Sequence, residues 1–209
     1  MKQKDHYKFD KLYYRRDKMV KNTRENIINA LFRIAIKHPE KSNFTINEIA
    51  LEAGISRQAI YQKHYRNVAE ILEDVQRPML FDIGKVYREA NKIETSDPFV
   101  FLAEQLLPVL YKHREWLRVF YTTCMDPTWI KRSEERMRNW IKPYLKIEYQ
   151  SGEFSREVAQ NVLAKSMLVI ITTWLSQDFP PPPDTFKYDF LYLLQHSVEE
   201  LLLPEFRIK

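Results

Sequence analysis

The sequence predicts an all-α protein in which a short N-terminal group of helices precedes a larger helical body. Only three glycines occur among 209 residues, so few positions suit the tight turns of β-hairpins. Apolar residues recur at the three- and four-residue spacing of helices, and we find no strand-like alternation of useful length. The shortage of glycine also excludes the glycine-rich phosphate loops of nucleotide-binding enzymes.

Positive charge is concentrated near the N-terminus. Residues 1–66 contain 15 Lys and Arg against 7 Asp and Glu, a net charge of +8, whereas residues 67–209 contain 18 against 21, a net charge of −3. A basic head on a mildly acidic body is typical of a polyanion-binding protein. An ordinary solvated basic surface is the alternative.

Three regions follow from the pattern along the chain. Residues 1–21 are rich in Lys, Arg and Tyr without a clear period, which indicates a basic N-terminal arm. Residues 22–66 are predicted to form a helix-turn-helix domain, and residues 67–209 a helical dimerisation and ligand-binding domain. The first helix is indicated by apolar residues on one face, Ile27, Ala30, Leu31, Ile34 and Ala35.

The ends of the next two helices are marked by specific residues. Thr45 and Glu48 have the spacing of a capping box, so a helix is predicted to begin after Thr45. Gly54 suits a left-handed stop, and Ser56 can cap a third helix that runs to about His64. Such a tight turn between two short helices is typical of a helix-turn-helix motif.

More helices are predicted after residue 67. Asn67 and Glu70 can cap a long helix that contains Pro78. Further helices are placed at about 97–112, 114–124, 127–149, 156–177 and 185–203, with breaks at proline and glycine positions. The prolines at 180–183 are interpreted as a stiff connection, with a ligand for a proline-recognition domain as the alternative.

The third helix is expected to carry an exposed polar surface. Ile46 and Ile49 face inward, and Ile55 and Ile60 close a small core. The residues left outside are Arg57, Gln58, Ala59, Gln62 and Lys63. Most of these side chains are types that contact base edges or phosphates in a DNA groove.

These residues resemble the DNA-binding domain of the tetracycline-repressor (TetR) family of transcriptional regulators over about residues 23–76. The shared pattern is Thr45, Ile46, Ile49, Ala50, Gly54, Ile55 and Ser56, followed by Tyr61, His64 and Tyr65. Two residues, Gln62 and Lys63, separate Tyr61 from His64 where the family usually has one, so the helix is expected to lengthen or bulge there. Val68 replaces a frequent phosphate-binding lysine, and Arg66 or Lys63 is the cation available instead.

The resemblance implies a set of contacts with double-stranded DNA. It places Arg57, Gln58 and Ala59 at base edges, and Thr45, Tyr61, His64 and Tyr65 at the sugar-phosphate backbone. Ser56, Gln62 and Lys63 complete the expected interface. Packing within the small domain is the alternative role of the two tyrosines, because an aromatic ring can be buried while its hydroxyl stays accessible.

The last two helices are apolar on more than one face, which favours a four-helix contact across a two-fold axis in a homodimer. The expected interface consists of Val162, Val169, Phe190, Leu194, Val198 and Leu201. Burial within a larger core is the alternative. A dimer would place two recognition helices about 34–36 Å apart, so that they read a palindromic operator.

The resemblance further implies that a small-molecule effector enters the helical body and changes DNA affinity. An aromatic pocket is expected from Tyr111, Trp116, Phe120, Tyr121, Trp140 and Trp174. Each of these residues could equally be ordinary core. The function that follows is a TetR-like repressor, and the alternative is a DNA-binding or protein-interaction adaptor without an effector.

Other functional classes find little support in the sequence. Five histidines show no metal-ligand spacing and no cofactor motif occurs, so we expect neither an enzyme nor a metal protein. A single cysteine, Cys124, allows no internal disulfide and is expected to be buried. The charged N-terminus lacks a signal-peptide core, and the apolar stretch Met167–Leu175 is far shorter than a membrane span of about 20 residues. The protein is expected in the cytoplasm.

Overall fold

A computed structural model describes residues 23–90, 97–145, 155–196 and 200, and within these ranges the protein is all-helical with no strand. The chain divides into two compact units, residues 1–75 and 76–209. The division falls inside a long helix, whereas the predicted domain boundary lies at the start of that helix. The basic arm predicted at residues 1–21 lies outside the described residues.

The first unit contains three short helices and the beginning of a fourth. They are α1 (Thr23–Lys37), α2 (Ile46–Ala53), α3 (Arg57–Lys63) and α4 (Val68–Ala90). Helix α1 packs against α2, and α2 packs against α3. Their shared core contains Ile27, Leu31, Ile49 and Ile60, all completely buried, whereas Ile55 is only half-buried.

Local hydrogen bonds define both ends of α2, as predicted. The Glu48 amide donates to the Thr45 hydroxyl (3.2 Å), and the Thr45 amide donates to the Glu48 carboxylate (2.9 Å), which completes the capping box. At the other end, Gly54 has a φ of 67°, in the left-handed region that favours glycine. The Ile55 amide then donates to the Ala50 carbonyl, which closes a Schellman motif and turns the chain toward α3.

The second unit contains the rest of α4 and the remaining helices. These are α5 (Pro98–Phe101), a π-turn (Leu102–Leu106), α6 (Leu107–Lys112), α7 (Arg114–Thr122), α8 (Trp129–Ile141), a 3₁₀ turn (Lys142–Tyr144), α9 (Arg156–Leu175) and α10 (Pro183–Gln195). Helix α9 is the central element of this unit, because it packs against α7, α8 and α10.

Several predicted helix boundaries differ from the structure, among them the end of α10 at Gln195 rather than near residue 203. Prolines explain three of the other differences. Pro108 lacks an amide hydrogen, and the chain just before it forms a π-turn, so the helix predicted at 97–112 is interrupted. Helix α8 ends at Ile141, two residues before Pro143, rather than near residue 149. Helix α10 begins at Pro183 rather than residue 185, because a proline at the first helical position loses no hydrogen bond.

Helix α9 is long and apolar enough to cross a membrane by length and composition, although its longest uninterrupted apolar stretch is short. The core helix of a soluble protein passes the same test. Within the second unit, Ala164, Met167, Ile171 and Trp174 lie on the buried side of α9, almost completely excluded from solvent. We therefore describe α9 as a core helix.

Cys124 is exposed, which corrects the expectation that it is a small buried residue. Helix α7 ends at Thr122, so Cys124 lies in the irregular connection to α8. The next side chain, Met125, is 1% exposed and fills the core from this connection. Cys124 is exposed because it lies beyond the end of α7, although its side chain is small and apolar.

Candidate nucleic-acid interface

Helix α3 presents nearly all of its side chains to solvent. Ile60 is the one fully buried residue in the helix. The exposed residues are Arg57, Gln58, Tyr61, Gln62 and Lys63, while Ala59 is half-buried. The arrangement is a short helix attached by one apolar residue, with guanidinium, amide, phenol and ammonium groups on its free surface.

The N-terminal end of α3 is held by a side-chain cap. The hydroxyl of Ser56 accepts a hydrogen bond from the Ala59 amide at 3.1 Å. Thr45, at the start of α2, is also exposed, and its hydroxyl donates to the Glu48 carboxylate at 2.9 Å. Hydrogen bonds from Lys41 and Thr45 lower the pKa of Glu48, so this carboxylate is ionised at neutral pH.

The C-terminal end of α3 accommodates the extra residue between Tyr61 and His64. The amides of His64 and Tyr65 both donate to the Ile60 carbonyl, at 2.9 and 3.0 Å. The second of these bonds spans five residues, as in a π-turn. The additional residue therefore widens the last turn, and α3 still ends at Lys63.

Tyr65 faces inward, which corrects its expected place at the sugar-phosphate backbone. Its side chain is 4% exposed, and its hydroxyl donates to the Asp74 carboxylate at 2.6 Å. The Arg24 guanidinium donates to the Tyr65 hydroxyl at 3.1 Å and forms a two-fold ion pair with Asp74. Burial and the hydrogen bond to Asp74 raise the pKa of Tyr65 to about 12. Tyr65 thus joins α1, the end of α3 and α4, which is the packing role considered as its alternative.

The distribution of ion pairs leaves positive charge around α3. In α1 and the connection after it, Arg33 and Lys37 pair with Glu52, and Lys41 pairs with Glu48. The exposed cations Arg57, Lys63 and Arg66 have no acidic partner among the described residues. His64 is half-buried beside them. The unpaired positive charge of the described part of this unit therefore lies on α3 and immediately after it.

The six aromatic residues expected to line a pocket do not surround a common cavity. Trp174 stacks between Tyr111 and Phe186, with ring centroids 5.7 and 4.3 Å away. Phe120 stacks on Trp129, whereas Trp140 packs with Tyr87 and Tyr144. Two surface cavities lie elsewhere, between α1 and α2 and between α8 and α9, and none of the six residues lines either cavity.

The predicted dimer interface is divided between exposed and buried residues. Val162 and Val169 on α9 are 52% and 60% exposed. Phe190 on α10 is 0% exposed and belongs to the core of its own protomer, so its prediction as an interface residue is wrong. Leu194 is half-buried, and Val198 and Leu201 lie outside the described residues. The exposed apolar residues of α10 are instead Tyr188, Tyr192 and Leu193.

Ligands for a metal ion do not come together in the part of the chain that the structure describes. No group of three or more His, Cys, Asp or Glu in these ranges has a suitable arrangement. The candidate interface consists of hydrogen-bonding and cationic groups on the exposed surface of α3, which suit binding to a polyanion.

Comparison with solved structures identifies a similar fold. The chain is similar to native NalD from Pseudomonas aeruginosa, described as the secondary repressor of the MexAB-OprM multidrug efflux pump, with 18% identity and a TM-score of 0.55. The likeness covers 82% of this chain and 94% of NalD. No protein-family model matches the sequence, and no curated protein matches it. At this identity the comparison establishes the all-helical, TetR-like fold.

Proposed function

We propose that this protein is a transcriptional repressor that binds a palindromic DNA operator as a homodimer through α3, and that a small-molecule effector modulates this binding. One observation carries the proposal: Ile60 is the one completely buried residue of α3, and Arg57, Gln58, Gln62 and Lys63 are exposed. Such a braced, protruding helix can enter a major groove, where Arg pairs with guanine and Gln with adenine. The similarity to NalD, itself a repressor, supports the same function.

The proposed contacts are of two kinds. Arg57, Gln58 and Ala59 occupy the first turn of α3, the part of a recognition helix that reads base edges. Ser56, Tyr61, Gln62, Lys63 and His64 would contact the backbone, with Thr45 at the start of α2. Because Tyr65 is buried, Arg66 replaces it in our proposal as a phosphate-binding residue.

The DNA-binding proposal is tested with duplexes that the wild-type protein enriches from a random pool. Wild-type affinity should fall about 10³-fold or more between about 50 and 200 mM salt, as six or more phosphate contacts require. The double variant R57A/Q58A should lose at least about tenfold in affinity, because each base contact contributes about 1–3 kcal/mol.

The matched control is R77A/Q177A, which removes one exposed Arg and one exposed Gln outside α3. It changes the net charge equally, so it should bind the enriched duplexes like wild type. If no duplex is enriched, or if both double variants bind alike, α3 is not a recognition helix.

The dimer proposal is supported by the exposed apolar stripe on α9, Val158, Val162 and Val169, which recurs at helical spacing. Analytical ultracentrifugation should find a dimer at micromolar concentration. V162E/V169E should be monomeric, since it buries two carboxylates in the contact. F81E, at an exposed apolar residue outside the stripe, should remain dimeric. A wild-type monomer would contradict this part of the proposal.

The second candidate function is a DNA-binding or protein-interaction adaptor with no small-molecule effector. Its support is the close packing of the predicted pocket residues, of which Phe120, Trp140 and Trp174 are almost completely buried. The two functions differ in one measurable property. A real effector should change DNA affinity by about 5- to 150-fold, the usual range of coupling between two sites; an adaptor should show no such change.

A further inference from the structure

The second unit contains a cation on a face of α8 that is otherwise turned toward the core. Trp129, Ser133, Met137 and Trp140 on this face are 9% exposed or less. Arg136 lies on the same face and is half-buried. Its guanidinium donates to the Ser133 hydroxyl at 2.9 Å and lies 5.3 Å from the centre of the Trp129 ring.

Arg132, one turn earlier on α8, shows how the positive charge of such a side chain is usually balanced by an acid. It forms an ion pair with Asp126 and donates to the Gln76 amide oxygen at 3.2 Å. Arg136 has no ion pair with any acid in the described ranges. Burial lowers the pKa of Arg136, but an arginine pKa lies so far above 7 that the side chain remains charged.

One acid lies near Arg136: Glu135, the preceding residue on α8, raises the pKa of Arg136 slightly but forms no ion pair with it. Tyr87 from α4 and Tyr121 from α7 are its principal electrostatic neighbours. Burial raises the pKa of Tyr121 to about 12 and also raises the pKa of Tyr87, so both phenols are neutral at physiological pH. The Tyr87 hydroxyl donates to the Met137 sulfur at 3.9 Å, and this weak bond could be exchanged for one to an anion. A neutral phenol cannot neutralise Arg136.

The same face of α8 also holds buried N–H groups without acceptors. The indole nitrogen of Trp140 has no hydrogen-bond partner. The Trp129 indole nitrogen interacts with the Tyr121 hydroxyl, without a hydrogen bond of normal geometry, and the Nε of Arg132 is also unpaired. Unpaired buried polar atoms are rare in folded proteins. All three are donors, so what this cluster lacks is an acceptor.

We propose that Arg136, Tyr87, Tyr121, Trp129 and Trp140 form the binding site of a small organic acid with an apolar body. The carboxylate would bind Arg136 and the neighbouring phenols, and the apolar body would pack against the indole rings. The ligand enters by displacing the half-buried Arg136, Tyr87 and Tyr121 side chains, as in a site that opens on binding. This inference rests on the proposed function, since it names the chemical class of the effector.

The test measures binding to the full-length protein in the absence of DNA, by calorimetry and thermal shift. The probes are two pairs that differ in charge but hardly in shape, benzoate with benzamide and octanoate with octanamide. At least one acid should bind saturably and raise the melting temperature. Its amide should bind about tenfold or more weakly, because it cannot compensate Arg136.

Three variants test whether the acids bind at the cluster around Arg136. R136Q should abolish the preference for the acid over the amide. R138Q removes a cation that bonds instead to Asn161, so it should retain the preference. W140F leaves the charge unchanged and removes one unpaired donor, and it should weaken acid binding severalfold. Circular dichroism shows whether each variant is folded. If R136Q is unfolded, the difference in affinity between acid and amide and the effect of W140F still test the proposal.

Two results would overturn the inference: neither acid binds better than its amide, or R136Q binds the acid as R138Q does. A separate measurement of affinity for the enriched duplexes distinguishes this failure from failure of DNA binding, which does not involve Arg136. An acid that binds through Arg136 but leaves DNA affinity unchanged would contradict its role as the effector.

Discussion

The two units place their arginines in different environments. In the first unit, Arg24 and Arg33 join helices through Asp74 and Glu52, and Arg57 extends into solvent from α3. In the second unit, Arg132 pairs with Asp126, whereas Arg136 lies beside the Trp129 ring and forms no ion pair with a described acid. An exposed unpaired cation suits a large polyanion, and a half-buried one suits a small anion. Arginines in the two units are therefore proposed to bind different ligands: DNA in the first unit and a small organic acid in the second.

The units also differ in how their helix ends are capped. In the first unit, α2 and α3 have caps at Thr45, Gly54 and Ser56, whereas α7 and α8 of the second unit begin without a side-chain cap. Contacts between residues distant in sequence occur in both units, for example between Arg24 and Asp74 and between Tyr111 and Pro180. All four tryptophans belong to the second unit, so tryptophan fluorescence reports that unit whereas circular dichroism reports helices in both. Unfolding of the second unit can therefore be followed by fluorescence, separately from the loss of helices in the whole protein.

The largest expected effects are in the two cores. W174A removes a fully buried ring that stacks on Tyr111 and Phe186 and whose N–H donates to the Pro181 carbonyl. It should lower the free energy of unfolding by about 3–5 kcal/mol. I60A, in the smaller core, should cost about 2–5 kcal/mol. Urea unfolding should show the loss for W174A by fluorescence; a loss below 1 kcal/mol would contradict the packing described for Trp174.

Removal of Asp74 should have the next largest effect. D74A removes the acceptor of the hydrogen bond from the buried Tyr65 hydroxyl, and it removes the ion pair between Arg24 and Asp74. We expect a loss of about 1–3 kcal/mol in the free energy of unfolding, the usual cost of an unsatisfied buried group. D74A/Y65F should be less destabilised than the two single effects predict, because it removes both partners. Full additivity in this cycle would mean that Tyr65 and Asp74 do not interact.

The helix caps offer a smaller and more direct comparison between the units. T45A removes a capping box with bonds in both directions, and it should destabilise the protein by about 1 kcal/mol. S155A removes one weaker bond, the Val158 amide donating to the Ser155 hydroxyl at 3.3 Å, and should cost less. Thermal unfolding measured by circular dichroism decides the order. A larger loss of stability for S155A than for T45A would contradict the stabilising role that we assign to the capping box of α2.

The smallest expected effect is on the pH dependence of stability. Burial opposes ionisation of Glu52, but hydrogen bonds from Arg33 and Lys37 outweigh it and lower its pKa below the ordinary value of 4.5. Because the folded-state pKa is depressed, this stabilisation is fully present above pH 4.5 and is lost as the pH falls through the lower folded value. E52Q should cost about 0.5–1 kcal/mol at pH 7 and progressively less in acid. An unchanged difference from pH 7 to pH 3 would contradict this explanation.

The described part of the first unit, residues 23–75, could be predicted almost completely from the sequence. The capping box, the glycine stop and the serine cap are patterns of neighbouring residues, so each can be recognised without knowledge of the rest of the chain. The exposed residues of α3 followed from the position of Ile60. Tyr65 was the exception, because its partners Arg24 and Asp74 are remote in the sequence and only folding brings the three together.

In the second unit the sequence predicted the approximate positions of the helices, although a π-turn interrupts one of them, but not the roles of their faces. Helix α10 has several apolar residues around its circumference, and periodicity alone cannot distinguish Phe190, which is buried, from Tyr188, which is exposed. The aromatic pocket was predicted from composition, whereas the rings form separate stacks. No pattern in the sequence distinguishes Arg136 from the other arginines of α8, since an arginine on a helix usually faces solvent.

The helical class, the ends of the short helices and the polar surface of α3 follow from the order of the residues, because they depend on backbone hydrogen bonds and spacing within a few residues. The three-dimensional fold was needed to show which apolar faces are core, where Tyr65 lies, and that Arg136 packs beside aromatic rings without an ion pair to a described acid. Burial is a property of many chain segments packed together, so the environment of a side chain is known only once its distant neighbours are in place.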